Sequence, residues 1–267
     1  MSSASPQAHI EVKDLTMAYG SFVLMRDLNF TINHGDIFII MGGSGCGKST
    51  LLRHLVGLKE PAKGEVFYSG KSFTKAEPEE REAMVRGFGV MYQSGALWSS
   101  LTLAENVALP LEQYTKLDRR RISEIVSYKL SLVGLSGFEE FYPAEISGGM
   151  CKRAGIARAM ALDPKVLFLD EPSAGLDPLS AQRLDEMILH LRDSLDTTIV
   201  IVTHELASIF AIANNSIFLD VTTRTQGATG NPREMRESCP NDDIRLFLNR
   251  GLTDDEAKAT TITDTPA

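Results

Sequence analysis

The sequence predicts an α/β fold with a mainly parallel sheet core, an antiparallel β subdomain and an inserted α-helical subdomain. Apolar runs typical of buried strands recur at residues 37–41, 88–92 and 166–169, with amphipathic segments between them. Strand signals stop between Leu101 and about Ala161, where apolar residues recur at helical spacing instead. A helical lobe is therefore expected inside a β-containing core.

Length and composition indicate a globular chain. The 267 residues, 43% of them hydrophobic, are enough to bury the core of one large domain. The net charge of −8 argues against nucleic acid as a partner, because such binding relies on clustered Lys and Arg. Three distant cysteines fit neither a disulfide framework nor a zinc spacing, which favours a reducing cytoplasm. No apolar run approaches the ~20 residues that cross a bilayer, and no signal peptide is evident, so a membrane role is expected only through a partner.

The N-terminal part predicts strands around a short turn. Residues 1–8 are small and polar and are expected to form a loose arm. The segments at 10–15 and 28–32 alternate between apolar and polar residues, which predicts edge-type strands. Tyr19 precedes a turn at Gly20 and could either stack on a nucleotide base or pack within the protein.

A phosphate-binding loop follows the apolar strand at 37–41. Residues 42–49 read Gly, four residues, Gly-Lys-Ser, and a segment with helical spacing comes directly after them. Glycines allow consecutive backbone N–H groups to wrap phosphates at a helix N-terminus. Lys48 is expected to reach the β- and γ-phosphates, and the Ser49 hydroxyl to hold Mg²⁺. The expected nucleotide contacts are Gly42, Gly43, Ser44, Gly45, Cys46, Gly47, Lys48, Ser49 and Thr50.

The middle of the chain leads from this loop into the helical lobe. A helix ending near Gly57, a strand at 64–70, an exposed helix at 77–86 and a strand at 88–92 are predicted in that order. Three arginines at 119–121 fit a solvated helix start. Pro143 and the glycines at 148–149 are expected to interrupt the lobe, with a new helix near Met150.

Strand character returns at residues 166–171. Four apolar residues there end in Asp170 and Glu171, as in a buried parallel strand that points at a ligand crevice. Asp170 is expected to coordinate Mg²⁺, and Glu171 to polarise water for attack on the γ-phosphate. A helix at 184–195 and a strand at 198–204 that ends in His204 follow, and the chain from about Leu252 is expected to be disordered.

The order of these motifs resembles the ATP-binding subunits of ABC transporters, and the resemblance covers nearly the whole chain. The motifs are an aromatic residue, the phosphate loop, a glutamine loop, a Ser-Gly-Gly signature, an Asp-Glu strand, a Gly-Leu-Asp loop and a switch histidine. They stand here at Tyr19, 42–49, Gln93, 147–149, 170–171, 175–177 and His204. The resemblance implies a P-loop NTPase fold of the ABC type.

The resemblance also implies a role for each site residue. Tyr19 would stack on adenine. Glu171 would act as the catalytic base, His204 would contact the γ-phosphate, and Gln93 would sense the metal and water. Ser147, Gly148 and Gly149 would grip the nucleotide held by a second copy of the chain, with Asp177 communicating across the dimer. The implied cofactors are ATP and Mg²⁺, with the metal held by Ser49, Gln93 and Asp170.

A narrower resemblance follows from Met150, which stands where the signature usually has glutamine. With the segments 93–97, 105–111 and 244–249, it is similar to the Mla-type ATPases that work with MCE proteins in phospholipid transport between bacterial membranes. The implied partners are an integral membrane permease, a periplasmic MCE-domain lipid-binding protein and, in some systems, a STAS-domain protein. The implied location is the cytoplasmic face of the inner membrane.

Three questions stay open at this point. Trp98 could anchor the docked permease or lie buried within the lobe. The substrate could be a polar solute such as an amino acid, or the chain could be a soluble ABC ATPase that acts on nucleic acid or ribosomes.

The expected organisation is one ATPase domain over 9–250. Its nucleotide-binding core covers 9–93 and 162–221, its helical subdomain 94–161, and a C-terminal extension 222–267. Residues 221–230 also differ from the short Gly-Lys hairpin common in relatives.

Overall fold

A six-stranded sheet forms the centre of the computed structural model, which describes residues 7–249. The strand order is β10-β9-β3-β8-β7-β6, and every neighbouring pair is parallel except β10 with β9. All residues of β3, β7 and β8 are buried, as near-continuous apolar runs predict. The strands are β3 Ile37–Gly42, β6 Phe88–Met91, β7 Val166–Asp170, β8 Thr198–Val202, β9 Asn215–Asp220 and β10 Thr225–Thr229.

A second, antiparallel sheet has the order β2-β1-β4-β5. It contains β1 Ala8–Tyr19, β2 Phe22–Asn33, β4 Lys63–Tyr68 and β5 Lys71–Ser72. The prediction that β1 is an edge strand is wrong, because Val12 pairs with Phe30 on one side and Val66 on the other. Alternation of apolar and polar residues shows only that one face of a strand is exposed to solvent. An interior strand of an antiparallel sheet with one solvated face alternates in the same way.

Nine helices, α1 to α9, and one 3₁₀ turn at Pro143–Glu145 lie within the described residues. The predicted exposed helix is α2, which buries none of its residues, and α4 begins at the predicted arginines. The helices are Lys48–Leu55, Pro78–Val85, Leu103–Tyr114, Arg119–Leu132, Gly148–Ala159, Pro178–Leu195, Leu206–Ile212, Pro232–Ser238 and Asp242–Asn249. None of the helices between residues 7 and 249 combines the length and apolar character that crossing a membrane requires.

Two helices begin earlier than predicted. Helix α5 starts at Gly148, so both signature glycines lie in its first turn and do not interrupt the chain. Ser147 caps this helix, since its Oγ accepts a hydrogen bond from the Met150 N–H at 3.2 Å. Helix α6 starts at Pro178, six residues before the predicted boundary, with Asp177 as its cap.

The two faces of the central sheet pack against different layers. From β3, Ile37 and Ile39 face the core that includes α3 to α6, whereas Phe38 and Ile40 face α1 and the antiparallel sheet. The loop after β3 therefore follows a strand that is covered on both faces.

Several predictions concern the ends of the chain. Ala8 already belongs to β1, so the predicted loose arm is at most seven residues long; residues 1–6 and the chain beyond residue 249 lie outside the described part. Residues 221–230 contribute a turn and β10 to a hairpin with β9. All three cysteines are free.

Candidate active site

Between the end of β3 and the start of α1, three glycines (Gly42, Gly45 and Gly47) have a positive φ, and at two of them a Cβ would also clash with a neighbouring residue. Gly42 has a φ of 147°, and a Cβ there would stand 2.5 Å from the carbonyl oxygen of Leu219. Gly47, with a φ of 97°, lies directly before α1, and a Cβ would stand 2.8 Å from Leu24 Cδ2. The loop can therefore curl tightly around a phosphate chain at the N-terminus of α1.

Lys48 and Cys46 line the inside of this loop. The Lys48 ammonium donates to the carbonyl oxygens of Gly42 and Gly43, each at 3.1 Å, so its charge lies across the loop. Cys46 is buried against Gly42, and burial raises the pKa of its thiol. The thiol therefore serves packing, while Lys48 supplies the charge that phosphate oxygens need.

Ser49 and Asp170 come together from two elements. The Ser49 hydroxyl, on α1, donates to Asp170 Oδ1 at 3.1 Å, at the end of β7. Burial raises the pKa of Asp170, and the Ser49 hydrogen bond opposes that shift. Two adjacent oxygen donors, one of them a carboxylate, suit a hard divalent cation such as Mg²⁺.

Glu171 is held in an unusual backbone conformation directly after Asp170. It has a φ of 51° and donates its N–H to the carbonyl of Val202 at 2.8 Å. Its carboxylate Oε1 lies 2.9 Å from Nδ1 of His204. Oε2 is buried and has no hydrogen-bond partner among the described residues. A buried carboxylate oxygen without a partner is suited to accept a proton from a bound water.

Tyr19 and Gln93 differ in how their side chains are held. The Tyr19 hydroxyl lies 3.2 Å from the hydroxyl of Thr50, and half of the residue is exposed. Gln93 is exposed after β6, and within residues 7–249 no hydrogen bond joins its side chain to Asp170 or Glu171. The Tyr19 hydroxyl is therefore held beside the phosphate-binding loop, whereas no hydrogen bond among residues 7–249 holds the Gln93 side chain at the carboxylates.

The signature residues face outward. Ser147 and Gly148 are exposed at the start of α5, and Asp177 is exposed at the start of α6. Hydrogen bonds from Ser180 to the Asp177 carboxylate lower the pKa of that group. Met150 is partly buried and packs against the hydrophobic core that includes α3 to α6. Within residues 7–249, no hydrogen bond joins the signature to the phosphate-binding loop of the same chain.

Sequence reasoning missed the side chains that tie α5 to the site. Lys152 is buried on α5 and donates to backbone oxygens of the loop after Asp170. Arg158 donates to the carbonyl oxygens of Gly95 and Ala96, at 2.9 and 2.8 Å. The sequence shows that basic residues follow the signature. Which of them face the core depends on where α5 begins, and the sequence does not define that position closely enough.

A glycine loop at a helix start, a serine–carboxylate pair and a second carboxylate held by histidine define a P-loop nucleotide hydrolase. The chain belongs to the ABC transporter family, whose sequence model matches residues 25–174. It is therefore an ABC-type ATPase that binds ATP, and the predicted family and fold class are confirmed.

Relatives and solved structures refine this assignment. The chain is 37% identical over 257 residues to the probable ribonucleotide transport ATP-binding protein mkl of Mycobacterium tuberculosis, covering 94% of this chain and 71% of mkl. It is 32% identical to the intermembrane phospholipid transport system ATP-binding protein MlaF of Escherichia coli, covering 92% and 90% of the two chains. The cassette MJ0796, solved as a dimer with ADP and Pi, matches with a TM-score of 0.75 and 26% identity, over 83% of this chain and 98% of that one.

Proposed function

We propose that the chain energises phospholipid transport between the inner and outer membranes of a bacterium. The observation that carries the proposal is the 32% identity to MlaF over 92% of the chain. Met150 supports it, because the Mla-type resemblance rests on a methionine at this place in the signature. One ATPase domain over residues 9–250 would supply the motion, with its core at 9–93 and 162–221 and its helical subdomain at 94–161.

Hydrolysis would depend on Glu171 and His204. Glu171 accepts a proton from the attacking water through Oε2, the oxygen without a protein partner. His204 Nδ1 lies 2.9 Å from the other carboxylate oxygen, a contact that would hold the Glu171 side chain in place beside the γ-phosphate. Ser49, Asp170 and Gln93 would hold Mg²⁺, which neutralises phosphate charge when it is bound.

A second copy of the chain would complete each site. Ser147, Gly148 and Gly149 lie at an exposed helix N-terminus, which suits the γ-phosphate bound on the other copy. Asp177 is exposed and would communicate across the same dimer. Support comes from MJ0796, which was solved as a dimer. Dimer closure on ATP and opening after hydrolysis would convert the reaction into movement.

The membrane partners would be a permease and a periplasmic MCE-domain lipid-binding protein, with a STAS-domain protein in some assemblies. Trp98 is 63% exposed, so its burial within the lobe is excluded and its role as a docking anchor is favoured. The chain would then work at the cytoplasmic face of the inner membrane, with the permease seated near Gln93 and α3.

A second candidate substrate is a polar solute. The name of mkl refers to ribonucleotide transport, and mkl matches the chain at 37% identity. The ATPase chemistry would be the same, but the permease would work with a solute-binding protein instead of an MCE protein.

Native mass spectrometry of the complex purified from membranes, through a tag on this chain, tests the proposal. We expect two copies of the chain with a permease, an MCE protein and bound phospholipid. A permease with a different binding protein and no lipid would overturn the substrate and leave the ATPase assignment intact. The matched control is the same tag on a Ser147→Arg variant, whose bulky side chain at the proposed dimer contact should reduce the ATP-dependent closure of two copies.

A further inference from the structure

We infer that Lys59 is a positioning residue for the adenine base, acting through the ring of Tyr19. The inference rests on the proposal that Tyr19 stacks on the base of ATP. The Lys59 ammonium nitrogen lies 2.9 Å from the centroid of the Tyr19 ring. A cation in this place covers one face of the ring and leaves the other face for a base.

Among residues 7–249, the Tyr19 ring is the group that the ammonium contacts. Lys59 Nζ is buried and makes no hydrogen bond to any of the residues described. The carboxylate of the next residue, Glu60, is already paired with Arg81. A buried charge without a counter-ion is costly, so the interaction with the π face of Tyr19 accounts for its position.

The exposed face of Tyr19 is the one opposite Lys59. Half of Tyr19 is accessible to solvent, whereas Lys59 Nζ is fully buried. The Lys59 ammonium therefore lies between the Tyr19 ring and the rest of the protein. A base that stacks on Tyr19 can reach only the outer face.

Helix α1 fixes both members of this pair. Thr50, in its first turn, bonds the Tyr19 hydroxyl at 3.2 Å. Beyond its C-terminus, the Lys59 N–H donates to the Arg53 carbonyl at 3.2 Å, and His54 Nδ1 donates to the Lys59 carbonyl at 2.8 Å. The ring and the ammonium are thus set relative to the helix that begins with the phosphate-binding residues.

Two physical effects follow for a bound base. The ammonium draws electron density from the outer face of the ring, which reduces the repulsion between two stacked π systems. It also restricts the ring to one orientation before the base arrives, so less conformational entropy is lost on binding. Lys59 should therefore strengthen the binding of the base and leave the binding of phosphates alone.

Competition against a ribose-labelled fluorescent ATP tests this role, because inorganic tripolyphosphate offers phosphates without a base. We expect Lys59→Met to weaken ATP binding about three- to tenfold and to change tripolyphosphate binding less than about twofold. Lys59→Arg keeps a cation over the ring and should retain most of the ATP affinity. In a Tyr19→Ala background, Lys59→Met should have no further effect.

Three results would overturn the inference: unchanged ATP affinity in Lys59→Met, equal losses for ATP and tripolyphosphate, or tighter ATP binding. The last would mean that the ammonium occupies the place of the base. If the unmodified chain failed to bind the labelled nucleotide, the ATP site itself would be wrong, and the role of Lys59 with it. The transported substrate does not enter this measurement, so failure of the phospholipid proposal is detected separately.

Discussion

The ammonium nitrogen of Lys152 lies 3.4 Å from the backbone carbonyl oxygen of Glu171. The same nitrogen donates to the carbonyl of Ala174, and the Lys152 side chain is buried. Burial lowers the pKa of Lys152, and the nearby carboxylates of Glu171 and Glu205 oppose that shift. Helix α5, which begins at the signature, is thereby joined to the backbone that carries the candidate base.

Replacing Lys152 with Met should lower the rate of ATP hydrolysis about 10- to 100-fold and leave ATP affinity nearly unchanged. The methionine fills similar space but donates no hydrogen bond, so the strained backbone at Glu171 loses a support and the carboxylate shifts from its position. Steady-state phosphate release and nucleotide titration measure the two quantities. Lys152→Arg retains donors and should recover part of the rate. Equal loss of rate in both variants would indicate a packing role only.

Replacing Glu171 with Gln should reduce turnover by at least about 100-fold while ATP still binds. The amide keeps the shape and can bond to His204, but it cannot accept a proton from water. Single-turnover phosphate release and labelled-ATP binding check these outcomes. Glu205→Gln is the matched control, because this carboxylate lies 3.8 Å from the other ring nitrogen of His204 and has no proposed role in proton transfer. Wild-type turnover in Glu171→Gln would show that another group is the base.

The sequence predicts the elements that carry the candidate site better than it predicts helix boundaries. Local motifs place Ser49 at the start of a helix and Asp170 at the end of a strand, as the structure has them, because neighbouring residues define both features. The starts of α5 and α6 were missed although their cap signals were present at Ser147 and at Asp177-Pro178. In α5, the low helix propensity of two glycines concealed the start.

Contacts between distant residues that no motif links could not be predicted. Lys59 and Tyr19 are forty positions apart, and they meet where α1 shares a hydrophobic core with β1 and β2. The position of β1 inside its sheet has the same origin, because pairing with β4 depends on long-range contacts. The alternation and spacing of apolar residues describe one helix or strand at a time. They do not indicate which element lies next to it in the fold.

Replacing Trp98 with Ala should weaken assembly with the membrane partner and leave the fold intact. The side chain is 63% exposed, so its loss should change the free energy of unfolding by less than about 0.5 kcal/mol. Its backbone is fixed by Asn106, whose Oδ1 accepts from the Trp98 N–H at 2.8 Å and whose Nδ2 donates to the Trp98 carbonyl at 3.1 Å. The Trp98 side chain is therefore presented from a fixed backbone.

The amount of permease that co-purifies with the tagged chain measures this effect, and thermal unfolding checks the fold. Tyr128→Ala is a suitable control, because Tyr128 is also an exposed aromatic residue, 54% accessible, on the surface of α4. If the permease is recovered equally with Trp98→Ala and with the unmodified chain, Trp98 is not an anchor.

Replacing Asp185 with Asn should stabilise the protein at neutral pH. Asp185 is buried on α6, and burial raises its pKa from 3.8 to about 6, with the Ser208 hydroxyl on α7 opposing the shift. When the pKa of a carboxyl is higher in the folded than in the unfolded state, its ionisation lowers the free energy of unfolding. The loss of folding stability caused by ionised Asp185 is therefore absent below about pH 4 and grows between pH 4 and 6. It reaches at most about 3 kcal/mol above that range.

Urea denaturation of both proteins between pH 5 and 8 at constant ionic strength measures this difference. We expect Asp185→Asn to have the higher midpoint at pH 8, and we expect its advantage to shrink toward pH 5 as the wild-type carboxyl takes up a proton. Glu186→Gln removes a neighbouring, exposed carboxylate on the same helix and should change the midpoint little at any pH. An advantage that stays constant across the range would mean that Asn improves packing or hydrogen bonding at α7 and that the charge of Asp185 is not what limits stability.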